Sequence, residues 1–284
     1  MRILVLGASG MLGNAMMRVL AQNGRHEVSG TARSGAVKRH FAPALAERII
    51  TGVDVENADA LARVFAQVRP QAVINCIGLV KQLAEADEPL LALPINSLLP
   101  HRLARLCELS GARLVHVSTD CVFTGRKGMY RESDEPDAQD LYGRSKLLGE
   151  VDYPHAITLR TSIIGHELES AHGLVGWFLA QQGSVKGYTQ AIFSGFPTCE
   201  LARIVRDEVL PRPQLRGLYH VAAQPIAKFD LLQLVNAEYD KGLDIEPDDR
   251  VRINRSLDAS RFQEATGYVA PSWPKLVAQM RAFH

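Results

Sequence analysis

The 284-residue chain has four cysteines, Cys76, Cys107, Cys121 and Cys199, and no two of them stand in a C-x-x-C pair. That spacing argues against a zinc ribbon or a disulfide framework and leaves reduced, mostly buried thiols as the expectation. The nine histidines show no H-x-x-x-H or similar ligand spacing, so no metal site is expected. Apolar stretches such as Val73 to Val80 fall far short of the roughly 20 residues of a membrane helix. An excess of one charge is also lacking: 32 Lys and Arg face 31 Asp and Glu, for a net charge of +1. Such a balance offers nucleic acid or an anionic membrane no broad attraction. The opening residues Met1 to Leu6 resemble a strand entering glycines rather than a signal peptide, and a cytoplasmic protein is expected.

What is present is an ordinary globular composition, with 46% hydrophobic and 22% charged residues. The length suggests one large domain or two coupled ones. Short β-branched runs alternate with amphipathic stretches in the first half, the pattern of an α/β fold with a Rossmann-type, doubly wound parallel sheet. Strands are predicted at Arg2 to Leu6, Glu27 to Thr31, Arg48 to Ile50, Ala72 to Cys76, Arg113 to Ser118 and Ala156 to Leu159. Helices are predicted at Met11 to Gln22, Asn57 to Gln67 with Asn57 as N-cap, Ile95 to Leu109 and Leu141 to Val151. A dinucleotide-binding domain over 1–162 and a substrate-binding region over 163–284 are expected. A strand near 217–222 would return to the main sheet, interleaving the two.

Directly after the first strand, Gly7, Gly10 and Gly13 form a G-x-x-G-x-x-G spacing that opens a helix. Glycines there permit a tight turn and close approach of backbone to a pyrophosphate, which the helix N-terminus favours. At the end of the second strand, a carboxylate would hold the 2′-hydroxyl of NAD. Arg33 stands there instead, 20 positions past Gly13. Its guanidinium suits the 2′-phosphate of NADPH, with NADH left open. Asp54 would either meet the adenine edge or cap a turn.

Ser118, Thr119 and Asp120 end the fifth strand, and Tyr142 and Lys146 lie four apart on the next helix, sharing a face. Reduction of a ketone needs a proton donor at the carbonyl oxygen. An ammonium about 5 Å from a phenol, at an effective dielectric of about 20, favours phenolate by about 3 kcal/mol, or two to three pKa units. Lys146 would thereby bring Tyr142 into range, and Thr119 would steady the carbonyl oxygen.

With these motifs in place, the chain resembles the extended short-chain dehydrogenase/reductase superfamily and, within it, the dTDP-4-dehydrorhamnose reductase family. The resemblance rests on GASGMLG at 7–13, VINCIG at 73–78, EPLLALPINSLLPHRLA at 88–104, VSTDCVFTG at 117–125, YGRSK at 142–146 and LRTS at 159–162. FPT at 196–198 and SLDASRF at 256–262 are less specific. It implies an NAD(P)H-dependent reductase of a nucleotide-linked 4-keto-6-deoxy sugar, with Thr119, Tyr142 and Lys146 as catalytic triad. Gly7, Ser9, Gly10, Met11, Leu12, Gly13, Arg33, Asp54, Cys76, Gly78 and Lys146 are the expected cofactor residues. Thr119, Cys121, Tyr142 and Ile163 are the expected substrate residues.

Two positions depart from the rhamnose-forming pattern. Cys121 replaces an aromatic residue after Ser-Thr-Asp, and Ile163 replaces Trp after Arg-Thr-Ser. Loss of two aromatic walls points to another sugar, one with a bulkier or acylated substituent. A thiol at 121, where related dehydratases carry Glu, disfavours elimination. The alternatives are a 4-epimerase that retains NAD, or a noncatalytic, dinucleotide-binding regulatory subunit. The expected partner is a nucleotide sugar, and a homodimer is left open. Asn96 and His116 are read as structural. Asp120, Lys81, Trp177, Phe178, Phe193 and Thr198 are secondary candidates.

Overall fold

The alternating pattern folds as read. The computed structural model describes residues 1–79 and 87–284, so Lys81 lies outside the described residues. In the N-terminal part the elements are β1 (Arg2–Leu6), α1 (Met11–Leu20), β2 (Glu27–Thr31), α2 (Pro43–Ala46), β3 (Ile49–Ile50), α3 (Ala58–Val68) and β4 (Ala72–Asn75). They are followed by α4 (Pro89–Ala92), α5 (Leu99–Ser110), β5 (Arg113–Thr119), α6 (Leu141–Leu148) and β6 (Ala156–Thr161). The main sheet has seven strands in the order Gly217–His220, β6, β5, β4, β1, β2, β3. The pairs β1–β2, β1–β4, β2–β3 and β4–β5 are parallel. Chain order therefore reverses between β1 and β4, the switch point at which open α/β sheets bind ligands.

Burial explains the strand compositions. Ile3 to Leu6 and Ala72 to Asn75 are buried throughout, as strands covered on both faces must be. Leu61, Val64 and Phe65 form the apolar stripe of α3 and join Leu4, Leu6, Val73, Leu103 and Leu114 in one core cluster. The Asn57 side chain accepts from Ala60 N at 2.9 Å and caps α3.

The single helix expected over Ile95 to Leu109 is instead divided. A π-helical turn, Leu93–Leu98, separates α4 from α5 and contains Pro94, which has no N–H to give. The turn is stabilised from outside: Ser97 Oγ donates to Ser145 O at 2.8 Å, and Asn96 Nδ2 donates to Ser145 Oγ at 3.1 Å.

The chain forms two compact units that do not follow one boundary. The first comprises 1–118, 140–159 and 202–218, and the second comprises 119–139, 160–201 and 219–284. Within the first, Arg113 reaches the carbonyls of Val209 and Leu215, each at 2.6 Å. The second carries small sheets: Ile163–Ile164 pairs with Phe196–Pro197, Ser184–Tyr188 with Asp244–Asp248, and Ala191–Phe193 with both Ile226–Ala227 and Ile253–Asn254. Among the described residues no helix is long and apolar enough to cross a membrane, and no group of three or more His, Cys, Asp or Glu is placed to hold a metal ion.

Candidate active site

In the first unit the glycine loop sits at the switch point. Gly7 adopts a φ of +88°, open to glycine, and a Cβ there would lie 2.9 Å from Ile77 Cγ1 after β4. A Cβ on Gly13 would overlap the Gly7 carbonyl oxygen, so α1 approaches β1 only because both residues are bare. Gly10 is the N-cap of α1 and supplies no side-chain hydrogen bond, which leaves the first N–H groups of the helix for a ligand. Ser9 and Gly10 are exposed, while Leu12 and Gly13 are buried and hold the loop to the sheet. These features fit the pyrophosphate of a dinucleotide.

Arg33 is exposed just past β2, and its guanidinium has no partner among the described residues. The neighbouring Ser34 caps a short 3-10 helix, Gly35–His40, whose last turn carries Lys38, Arg39 and His40. The sequence reading passed over this second basic group because it is separated from the strand end by the turn. Asp54 accepts from Glu56 N at 3.0 Å, the turn-capping alternative of its two readings.

Lys146 is buried on α6, whose N-cap Asp140 accepts from Gly143 N at 2.7 Å. Its ammonium donates to Val117 O at 3.0 Å. A Cβ on Gly78 would stand 3.6 Å from that ammonium and 3.3 Å from Asn96 Oδ1. Lys146, Cys76, Gly78 and Asn96 are thus brought together after β4. Burial pulls the Lys146 pKa down to about 8 against the opposing charge of Glu150. Burial likewise pushes the Cys76 thiol up to about 12, making it a packing group rather than a nucleophile.

Tyr142 is partly buried in the first turn of α6, one turn before Lys146. Ser145 Oγ donates to the Tyr142 carbonyl at 2.9 Å and also accepts from Asn96 Nδ2, so the tyrosine-bearing turn is tied to the π-helical turn. Asn96 Oδ1 accepts from Leu79 N at 2.9 Å, consistent with its structural reading. His116 is fully buried beside Asn75, and burial, with the Lys146 and His101 charges, keeps it neutral.

Thr119, Asp120 and Cys121 belong to the second unit, while Tyr142 and Lys146 belong to the first. Thr119 Oγ1 accepts from Cys121 N at 3.1 Å and donates to Asp120 Oδ1 at 3.2 Å. Burial raises the Asp120 carboxyl pKa, opposed by the charges of Arg255 and Lys228 and by the hydrogen bonds of Cys121 and Thr119. Sequence reading missed Lys228 and Arg255; both lie more than 100 positions away, and no local spacing marks them. Ile163 is partly buried and pairs with Phe196. Phe178 is core, Trp177 is exposed, Phe193 packs against Trp273, and Thr198 starts a helix, Thr198–Ile204.

A family model described as the RmlD substrate binding domain matches residues 1–281. The chain belongs to that family. Among curated relatives of this RmlD-family chain, a dTDP-4-dehydrorhamnose reductase of Mycobacterium tuberculosis is 34% identical over 170 residues, covering 57% of this chain. The chain spans about half of that relative, 49% of its length. Methionine adenosyltransferase 2 subunit beta of Danio rerio is 29% identical over 249 residues, covering 81% of this chain and 71% of the relative. The crystal structure of a dTDP-4-dehydrorhamnose reductase of Bacillus anthracis in complex with NADP superposes with a TM-score of 0.80 at 20% identity, covering 100% of this chain and 99% of that one. At that identity it shows the Rossmann-type fold, and the family resemblance read from the motifs holds.

Proposed function

We propose that the chain is an NADPH-dependent reductase of a nucleotide-activated 4-keto-6-deoxy sugar. The supporting observation is Lys146: a buried ammonium on the helix that carries Tyr142, seated against β5 and beside Gly78. A surface YxxxK would place its lysine in water. Desolvating an ammonium is costly, and here the cost supports a phenol that must release a proton.

In this reading Gly7, Ser9, Gly10, Met11, Leu12 and Gly13 hold the pyrophosphate, Arg33 the 2′-phosphate, and Cys76 and Gly78 line the nicotinamide side. The bound cofactor supplies a hydride to the sugar carbonyl carbon. Tyr142 delivers the proton to the carbonyl oxygen, Lys146 holds the ribose and eases loss of the phenolic proton, and Thr119 donates to the same oxygen. Cys121 and Ile163 face the sugar as walls narrower than aromatic ones and accommodate a substituent that rhamnose lacks. Residues 1–162 carry the cofactor and the catalytic groups, and 163–284 supply the remainder of the sugar site.

The direct test is cofactor oxidation on mixing the protein with NADPH and a panel of dTDP- and UDP-linked 4-keto-6-deoxy sugars. Turnover with a 2-acylamino sugar above that with dTDP-4-dehydrorhamnose is expected; no oxidation with any member defeats the proposal.

The similarity to the zebrafish adenosyltransferase subunit supports a second reading, a regulatory subunit. That reading gains if NADPH binds, nothing in the panel turns over, and a partner enzyme changes its affinity on mixing.

A further inference from the structure

The second unit holds two cations that form no ion pair among the described residues. Lys228 is the first residue of the 11-residue helix Lys228–Glu238 and is partly buried. Among the described residues it has no hydrogen-bond or ion-pair partner; its interactions are through space, with Asp120, Arg255 and Cys121. Arg255 spends one nitrogen on Phe123 O, with Nε donating at 2.7 Å, and its two terminal nitrogens have no partner among the described residues.

Their placement is built rather than incidental: Ala227 and Asn254, the residues just before them, both pair with Ile192, so the two cations leave the two outer strands of one small sheet. Asn254 N donates to Gly125 O at 2.8 Å, and a Cβ on Gly125, whose φ is +88°, would stand 3.0 Å from Arg255 Cγ. The 119–125 turn is therefore clamped against 253–255, which fixes the guanidinium beside it. Ser256 Oγ donates to Asn254 Oδ1 at 2.7 Å and also accepts from Met129 N at 2.8 Å, stiffening the same stretch. Asp120 is the carboxylate that faces both cations, and it forms no ion pair with either. Burial raises its carboxyl pKa, and the two cations oppose that shift.

A partly buried ammonium with no hydrogen-bond partner is costly unless a ligand completes it. A guanidinium with two free nitrogens presents the fork that suits a carboxylate or phosphate. We propose that Lys228 and Arg255 form an anion subsite, adjoining the Thr119 to Cys121 turn, that takes an anionic oxygen group of the substrate. The inference rests on the sugar-nucleotide reading. Two sources offer this chemistry: the diphosphate that links sugar to nucleoside, and a carboxylate carried by the sugar ring.

The test is calorimetric titration of the full-length protein, saturated with NADPH, with dTDP, UDP and thymidine. It compares wild type with Lys228→Gln, Arg255→Gln and the conservative Lys228→Arg, and measures turnover of the best 4-keto sugar nucleotide in each. With diphosphate in the subsite, each Gln variant weakens dTDP or UDP at least tenfold and leaves thymidine binding unchanged, while Lys228→Arg binds the nucleotides nearly as wild type does. With a sugar carboxylate, dTDP and UDP bind as in wild type while kcat/KM for the sugar nucleotide falls at least tenfold. Unchanged nucleotide binding together with unchanged kcat/KM in both Gln variants overturns the proposal. NADPH affinity within twofold of wild type certifies that each variant is folded, and Lys228→Arg repeats the comparison if a Gln variant fails that check. Nucleotide titration reads the subsite even if no keto sugar turns over, so its failure and that of the reductase reading are distinguishable.

Discussion

Glu150 accepts a hydrogen bond from Ser118 Oγ at 2.7 Å, one residue along β5 from the Val117 carbonyl that holds the Lys146 ammonium. Two consecutive strand residues thus fix a buried cation and the carboxylate that keeps it charged. Glu150 raises the Lys146 pKa against burial, leaving it at about 8. Replacing Glu150 with Gln removes that support and lowers the pKa further. In the proposed mechanism the ammonium is the active form, so activity is lost as pH rises through its pKa. The basic limb of the kcat/KM profile is expected to move to lower pH in Glu150→Gln, and a profile that stays in place refutes the pairing.

Lys146 also carries a stability cost whose sign follows from linkage. Its pKa is depressed from 10.5 to about 8, so the unfolded chain binds more protons between those values and stability rises with pH across that window. The cost is full below about pH 8 and absent above about 10.5; at neutral pH it amounts to about 3 kcal/mol. The hydrogen bond to Val117 returns about 1 kcal/mol. Lys146→Met is therefore expected to raise stability at pH 7 by about 2 kcal/mol in urea unfolding while abolishing turnover. A destabilised variant would contradict the buried charge.

Removing the phenolic hydroxyl in Tyr142→Phe is expected to lower kcat by roughly 10²- to 10⁴-fold, the range of a general acid, with NADPH affinity nearly unchanged. Stopped-flow reduction and fluorescence titration separate the two. Full activity in the variant would assign the proton to another group.

Arg33 stands past β2, and its guanidinium has no partner among the described residues. Arg33→Asp is expected to weaken NADPH by about tenfold to a hundredfold, the loss of a charge-assisted hydrogen bond, and to leave NADH the better donor. An unaltered NADPH/NADH ratio would shift the phosphate contact to Lys38 or Arg39.

The Gly13 position admits no Cβ without displacing the Gly7 carbonyl. Gly13→Ala is expected to lower stability by about 1–3 kcal/mol and to abolish NADPH binding, both measurable by thermal shift with and without cofactor. Wild-type cofactor stabilisation in this variant would remove the loop from the site.

Legibility in the sequence followed the range of each interaction. The strands Arg2 to Leu6 and Glu27 to Thr31 were readable to the residue because their β-branched composition reports burial locally. The break at Pro94 was hidden, because its π-helical turn depends on Ser145, nearly fifty residues later. Glu150 carries no local signature either, since Gly149 ends the helix before it and its partner is on β5. Lys228 and Arg255 belong to the same class: they are brought together by the pairing of Ala227 and Asn254 with Ile192 and by the clamp between Gly125 and Asn254.

The chain passes from one unit to the other five times, after Ser118, Gln139, Leu159, Leu201 and Leu218. No single cut of the chain separates the two units, because each is assembled from three stretches. Recombination that trades whole units between relatives would break both cores, and in the proposed reading a new sugar preference is reached by point replacements such as those at 121 and 163.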